Sequence, residues 1–371
     1  LSRFYYYLIL VNMVSNIIAS VPVILLYFHK EGAISSMILS VVVGTIIITV
    51  YTRFFNNFPG MTLPELLQKT TAKWFYNPFI FLLGILWFIA GMITLITFSF
   101  LLIRYLTPET PITQISLVLT ISVIFGCLMK TNRVLYTIEI ILILTFPLIF
   151  YIYLAAYSSK NLRWDFVRDA VLYFNQLPSF YAFSASFFLF LGVANIFIFN
   201  RFFTVKQKFG LKQIIFIVVT STFALSTTYF IPIGFNGFEH IKDFIYPWIS
   251  TSDSIRMKYF IIERVLFIFL LFYLGIAFLS ILIHWHVSIE FFKFVFHLEK
   301  IKWKGVKIGI FLPLPFFIGI STYFVKRLDE YQLVRLSGIF YNSLSILFPL
   351  MIILFLFIKR RMKYAKNNEQ N

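Results

Sequence analysis

Two short stretches hold most of the polar chemistry in an otherwise apolar chain. The first reads Asn12-Met13-Val14-Ser15-Asn16-Ile17-Ile18-Ala19-Ser20-Val21-Pro22. The second reads Phe183-Ser184-Ala185-Ser186-Phe187, followed by Gly192-Val193-Ala194-Asn195. Small and amide-bearing residues at such points can satisfy the backbone groups that are freed when a helix opens inside an apolar medium. Backbone opened in this way can hold a small polar ligand near the middle of a membrane. The candidate ligand residues are therefore Val14, Ser15, Asn16 and Ala19 in the first stretch, and Phe183, Ser184, Ser186 and Gly192 in the second. Close packing between helices uses Ser, Ala and Gly equally well, so composition leaves both readings open.

Other chemistry is sparse. The sequence contains no P-loop, Gly-rich nucleotide fingerprint, nucleophile elbow or His-x-x-x-His pair. Asp165, Asp169, Asp253 and Asp329 read as solvated loop charge, and His284-Trp285-His286 reads as an interfacial anchor rather than a metal pair. Arg104, Glu139, Glu263 and Arg264 fall at the ends of apolar stretches, where such groups reach water. The expectation is a chain with no enzymatic step, no cofactor and no metal. With no ionisable side chain expected at mid-span, it should respond to a ligand by a conformational change without stoichiometric proton coupling.

The elements that must position these residues follow from composition. Of 371 residues, 60% are hydrophobic, 20% aromatic and only 13% charged, with 49 Phe. A soluble domain carries about 25% charged residues, so a soluble or disordered chain is excluded. The single cysteine, Cys127, excludes an internal disulfide. A membrane span needs about 20 mostly apolar residues. Ten stretches without Asp, Glu, Lys or Arg meet or approach that length: 4–28, 33–52, 74–103, 110–129, 140–159, 170–200, 213–238, 265–283, 308–325 and 336–358. The first is longer than the core of a signal peptide and is read as a span. Twenty of the 32 Lys and Arg, but only five of the 15 acids, fall with one set of alternating loops and the termini. That asymmetry places both termini in the cytoplasm and accounts for the net charge of +17 without nucleic acid.

Loops 53–73 and 239–264 lie five spans apart on opposite faces, as in two halves of inverted orientation. The expected organisation is 1–159 as a first five-helix repeat, 160–359 as a second, inverted one, and 360–371 as a basic cytoplasmic tail.

The segment Phe58-Pro59-Gly60-Met61-Thr62-Leu63-Pro64-Glu65-Leu66-Leu67, with Trp74 beyond it, resembles the F-P-G-x-T-L-P-E-[IL]-L signature of the B subunits of spore germinant receptors. Thr62 and Glu65 also have the spacing of a helix capping box. Thr107-Pro108-Glu109-Thr110-Pro111, Phe146-Pro147-Leu148, Tyr246-Pro247 and Ile262-Glu263-Arg264 are similar to further segments of that family. The resemblance implies the fold of amino acid–polyamine–organocation (APC) transporters: an all-α polytopic membrane protein of ten transmembrane helices, arranged as a five-plus-five inverted repeat with helices 1 and 6 broken. It further implies a germinant receptor in the inner membrane of a spore, binding a small nutrient such as an amino acid and acting with an A subunit and a lipoprotein C subunit. An amino-acid permease of the same superfamily is the alternative. An amino-acid carboxylate would be met by N–H groups at a half-helix N-terminus, and Thr94, Thr97, Phe98 and Tyr273 would neighbour the ligand in that fold. The chain departs from the family at three places. Val14-Ser15-Asn16 replaces a frequent Gly pair, Gly192 to Asn195 stands where many members have Glu, and Ser280 takes a position that is often polar or basic.

Overall fold

The computed structural model describes residues 2–18, 20–255, 265–303 and 306–370. Long runs of Leu, Ile, Val and Phe with few breakers dictate helices, because lipid leaves no water to satisfy exposed backbone groups. Helices α1 (Ser2–Asn16) and α2 (Ser20–Tyr27) form a pair bent by 56°. Next come α3 (Ala33–Phe55), the short α4 (Leu63–Thr70), α5 (Lys73–Tyr105), α6 (Ile112–Cys127), α7 (Thr131–Tyr157) and the short α8 (Trp164–Val171). Helix α9 (Phe180–Phe188) runs through a 3-10 stretch, Leu189–Asn195, into α10 (Ile196–Phe199). The remaining helices are α11 (Leu211–Asn236), α12 (Pro247–Ser254), α13 (Val265–Val295), α14 (Pro313–Arg327) and α15 (Glu330–Gln370). Lys302–Trp303 and Val306–Lys307 form a minimal antiparallel pair.

Among the described residues, eight helices are long and apolar enough to cross a membrane, and the bent pair α1–α2 makes a ninth if counted as one span. The protein is therefore an all-helical integral membrane protein. Where a tenth span was expected, α6 has 16 residues and covers only about 24 Å at 1.5 Å per residue. Helix α13 extends well past the expected end at 283, and α15 continues from its span into the basic tail. The expected I-E-R segment, Ile262 to Arg264, lies outside the described residues.

The segment Phe180–Phe202 is the central element, with 94% of its apolar window buried. Helices α5 and α13 share the most extensive helix–helix contact. Trp285 Nε1 donates to the Phe88 carbonyl at 3.2 Å, and Ser288 Oγ to that of Gly84 at 2.6 Å.

Charges sort to the ends of the bundle. The four long-range ion pairs among the described residues are Arg3–Glu139, Lys30–Glu239, Arg104–Glu330 and Arg201–Glu65. Each joins two segments that the distribution of basic residues expects on one face. At the Glu65 end, Gly60 takes a φ of +77°, which glycine alone adopts at no steric cost, and turns the chain into α4. Thr62 N–H donates to Glu65 Oε2 at 2.8 Å and Glu65 N–H to Thr62 Oγ1 at 3.5 Å, completing the capping box. Leu63, Leu66 and Leu67 are fully buried against α5, α10 and α15. The apolar face of α4 is thus covered by the protein's own helices and is not free for lipid headgroups.

Candidate functional site

The two polar stretches of the sequence become two different interruptions, and they meet. In the first, the helix stops at Asn16 and restarts at Ser20. Ile17 N–H still reaches the Val14 carbonyl at 3.4 Å. The Ile17 carbonyl accepts from Thr228 Oγ1 of α11 at 2.5 Å, and Thr228 in turn accepts from Trp248 Nε1 at 3.0 Å. Asn16 Nδ2 folds back onto the Asn12 carbonyl at 2.7 Å and Ser15 Oγ at 3.2 Å. Val14, Ser15 and Asn16 are all buried; Ala19 lies outside the described residues.

In the second, the helix does not open but tightens over seven residues of 3-10 geometry, a length at which such helices are uncommon and often mark a hinge. Asn12 Nδ2 crosses from α1 to the carbonyls of Phe188 at 2.6 Å and Leu189 at 3.2 Å. Asn195 closes the other end, donating to the Gly192 carbonyl at 3.1 Å and accepting from Trp87 Nε1 at 2.7 Å. Gly192 permits the close approach. A Cβ there would stand 2.6 Å from Asn12 Cβ and 2.7 Å from the Leu8 carbonyl oxygen, so the structure gives this position a packing role.

The other candidates divide. Ser186 Oγ donates to Ala182 of its own helix at 2.8 Å, and Thr94 and Thr97 likewise to Ala90 and Ile93. Those three hydroxyls serve their own helices. Ser184 Oγ is buried with no hydrogen-bond partner. Phe183 is half-buried and stacks on Phe187 at 5.5 Å, while Phe98 is fully buried. Tyr273 shares a 2.5 Å hydrogen bond with Tyr153. Tyr153 packs on Trp248 at 5.3 Å, which links Tyr273 to the first interruption through Thr228.

Three residues outside the candidate set matter more than several within it: Asn12, Asn195 and His284. Together with Trp87 they line a void of about 20 Å³ between the interrupted helices. Phe188, also on its wall, stacks on Tyr341 at 4.4 Å, and the Tyr341 hydroxyl meets Ser20 at the start of α2. Asn12 could have been found in the sequence, since it lies one helical turn before Asn16. His284 was hidden because the apolar stretch ends at 283. The interfacial-anchor reading of the His pair is overturned. Both rings are buried inside α13, His284 at 8% and His286 at 1% exposure. They do not form a metal pair either, since His284 Nδ1 bonds the Ser280 carbonyl while His286 bonds Cys127 O and Thr131 Oγ1. One ionisable side chain, His284, does lie buried within a membrane-crossing helix rather than at its end, since α13 runs on to Val295.

A second cavity of about 260 Å³ lies at the α4 end, lined by Thr62, Thr131, Arg201, Glu290, Lys293 and His297 among others. Its charges are largely matched: Arg201 pairs with Glu65 and Lys293 with Glu290, each at 2.5 Å. Partial burial pushes the Glu65 carboxyl up, but hydrogen bonds from Thr62 and Arg201 outweigh it and hold the group below its ordinary value. Among the described residues no group of three or more His, Cys, Asp or Glu could hold a metal.

The polar groups at the interruptions are amides, hydroxyls, an indole and an imidazole. Their chemistry is hydrogen bonding between neutral polar groups, within a helical membrane protein. Residues 7–325 match the family model of spore germination proteins, the spore permeases. The chain belongs to that family and is a germination-related integral membrane protein. No curated protein matches it.

Proposed function

We propose that this chain is the B subunit of a spore germinant receptor, binding a small nutrient such as an amino acid at mid-membrane. In this reading it has the APC-type arrangement of ten spans, with 1–159 and 160–359 as inverted halves, α6 as the fourth span and the bent pair as the first. It sits in the inner membrane of the spore with both termini in the cytoplasm, and it works with an A subunit and a lipoprotein C subunit. It is a receptor and performs no enzymatic step.

The observation that carries the reading is the Asn12 contact. One side chain of the first interruption holds two backbone carbonyls at the start of the second. A ligand that competes for either partner has unequal affinity for the joined and separated arrangements, and only such a difference can shift the equilibrium between them. The test is spore germination with Asn12→Ala replacing the native residue. The expected result is a blunted nutrient response with near-normal membrane abundance and intact nutrient-independent germination. An unchanged nutrient response overturns the assignment of the site. The permease alternative draws on the same interrupted helices, and uptake of a labelled amino acid into liposomes by this chain alone would favour it.

A further inference from the structure

We infer that the void between the interrupted helices is a subsite for a primary ammonium group of the ligand, with His284 Nε2 as its principal acceptor. The inference rests on the nutrient-receptor reading and names the ligand chemistry of the same site.

The imidazole fixes the argument. Both hydrogen bonds of His284 are made through Nδ1, to the Ser280 carbonyl at 2.6 Å and to its hydroxyl at 3.5 Å. A carbonyl oxygen only accepts, so Nδ1 carries the proton, and in the neutral ring Nε2 is an acceptor. The ring is nine-tenths buried and lies on the wall of the void.

Its neighbours are acceptors too. Asn12 uses its Nδ2 on Phe188 and Leu189, which leaves Oδ1 facing only a long 3.3 Å contact from Asn16. Asn195 uses its Nδ2 on Gly192, and its Oδ1 takes one bond from Trp87, so a second lone pair remains. These three residues, which line the void, thus offer three neutral acceptors against one unused N–H, on Asn195 Nδ2. That complements a group with three donors and no acceptor, the inventory of a primary ammonium.

Size and wall chemistry agree. The void of about 20 Å³ holds one water-sized group, as an ammonium head is. Trp87, Phe188, Phe340 and Phe348 share the rest of the wall with Leu86, Ala90, Leu191 and Leu344, and aromatic faces attract a cation by their quadrupoles. No Asp, Glu, Lys or Arg lines the void. An anion would meet three acceptors there, and a purely apolar group would leave them unpaired.

The experiment titrates the purified full-length chain with each of the twenty common L-amino acids, reading stabilisation by thermal unfolding. The best binder is then compared with its des-amino analogue. Losing the ammonium should weaken binding about tenfold or more, the scale of a buried hydrogen bond to a charged group. His284→Leu should weaken the amino acid by a similar factor yet leave the des-amino analogue unchanged. His284→Gln, which restores an acceptor, should recover most of the affinity for the amino acid. Equal weakening of both ligands by His284→Leu, or none of either, overturns the subsite while leaving the receptor reading standing. Stabilisation by none of the twenty overturns the amino-acid reading, and the subsite with it.

Discussion

The two interrupted helices solve one problem in opposite ways. At Ile17 and Ile18 the chain leaves helical geometry; the helices on either side are bent by 56°, and the Ile17 carbonyl is handed to Thr228 on another helix. At 189–195 it keeps its direction, shortens its hydrogen bonds to the 3-10 pattern, and is held by the amides of Asn12 and Asn195. The first interruption is a bend supported from outside. The second is a tightened segment clamped by side chains of the site itself, so occupation of the void acts more directly on the second than on the first.

The largest expected effect comes from Gly192→Val. The atoms a side chain would meet include the Leu8 carbonyl oxygen and Ile9 Cα at 2.7 and 3.2 Å, and backbone cannot step aside as a flexible side chain can. A cost of about 1–3 kcal/mol or more should appear as a sharp fall in thermal stability. Gly319→Ala, at a position with nothing within 4 Å, should leave stability unchanged. A mild Gly192→Val would show that the two interruptions are not locked together.

Next, Asn12→Leu removes the donor to two buried carbonyls and should cost about 1–3 kcal/mol. Ser15→Ala removes two long bonds, of 3.3 and 3.2 Å, while Asn16 keeps its 2.7 Å bond to the Asn12 carbonyl, and it should cost less. Hydrogen exchange on the purified protein should then show 188–195 opening before 14–18. The opposite order would reverse the assignment of which segment the site clamps.

Thr228→Val tests the bend. It leaves the Ile17 carbonyl and the Trp248 indole N–H without their partner, at about 1–2 kcal/mol. Its effect should stay on α1, α2 and α12 rather than reach the second interruption. Loss of protection at 189–195 in this variant would mean that the two breaks act as one unit.

The smallest effect is electrostatic and lies outside the membrane spans. Because the Glu65 carboxyl is held below its ordinary value, its stabilising contribution is present above about pH 4.5 and fades as the pH falls through the lowered value. The pair with Arg201 is more than half exposed on the Arg side, so it is worth at most about 1 kcal/mol. Corrected for the intrinsic rate, which itself slows at acid pH, the protection of 62–70 against hydrogen exchange should fall at acid pH in the native chain and show no such change in Glu65→Gln.

Much of the plan was legible because it depends on local chemistry. Apolar runs must be helices in lipid, Thr62 and Glu65 must cap the short helix they begin, and amides inside an apolar run mark where a helix departs from α geometry, by a bend at 17–18 and by tightening, not opening, at 189–195. Helix ends were less legible. Helix α13 continues beyond Ile283 because its two histidines are sheltered by α5, α6 and α7, a shelter that no window of hydropathy contains. The tertiary structure alone decided what each polar residue does. Ser186, Thr94 and Thr97 find acceptors one turn back on their own helices, whereas Asn12 and Thr228 find theirs 176 and 211 residues away. The composition of a stretch says that a polar group needs a partner; only the packing of distant helices says which partner it gets, and which lone pair, such as that on His284 Nε2, is left for a ligand.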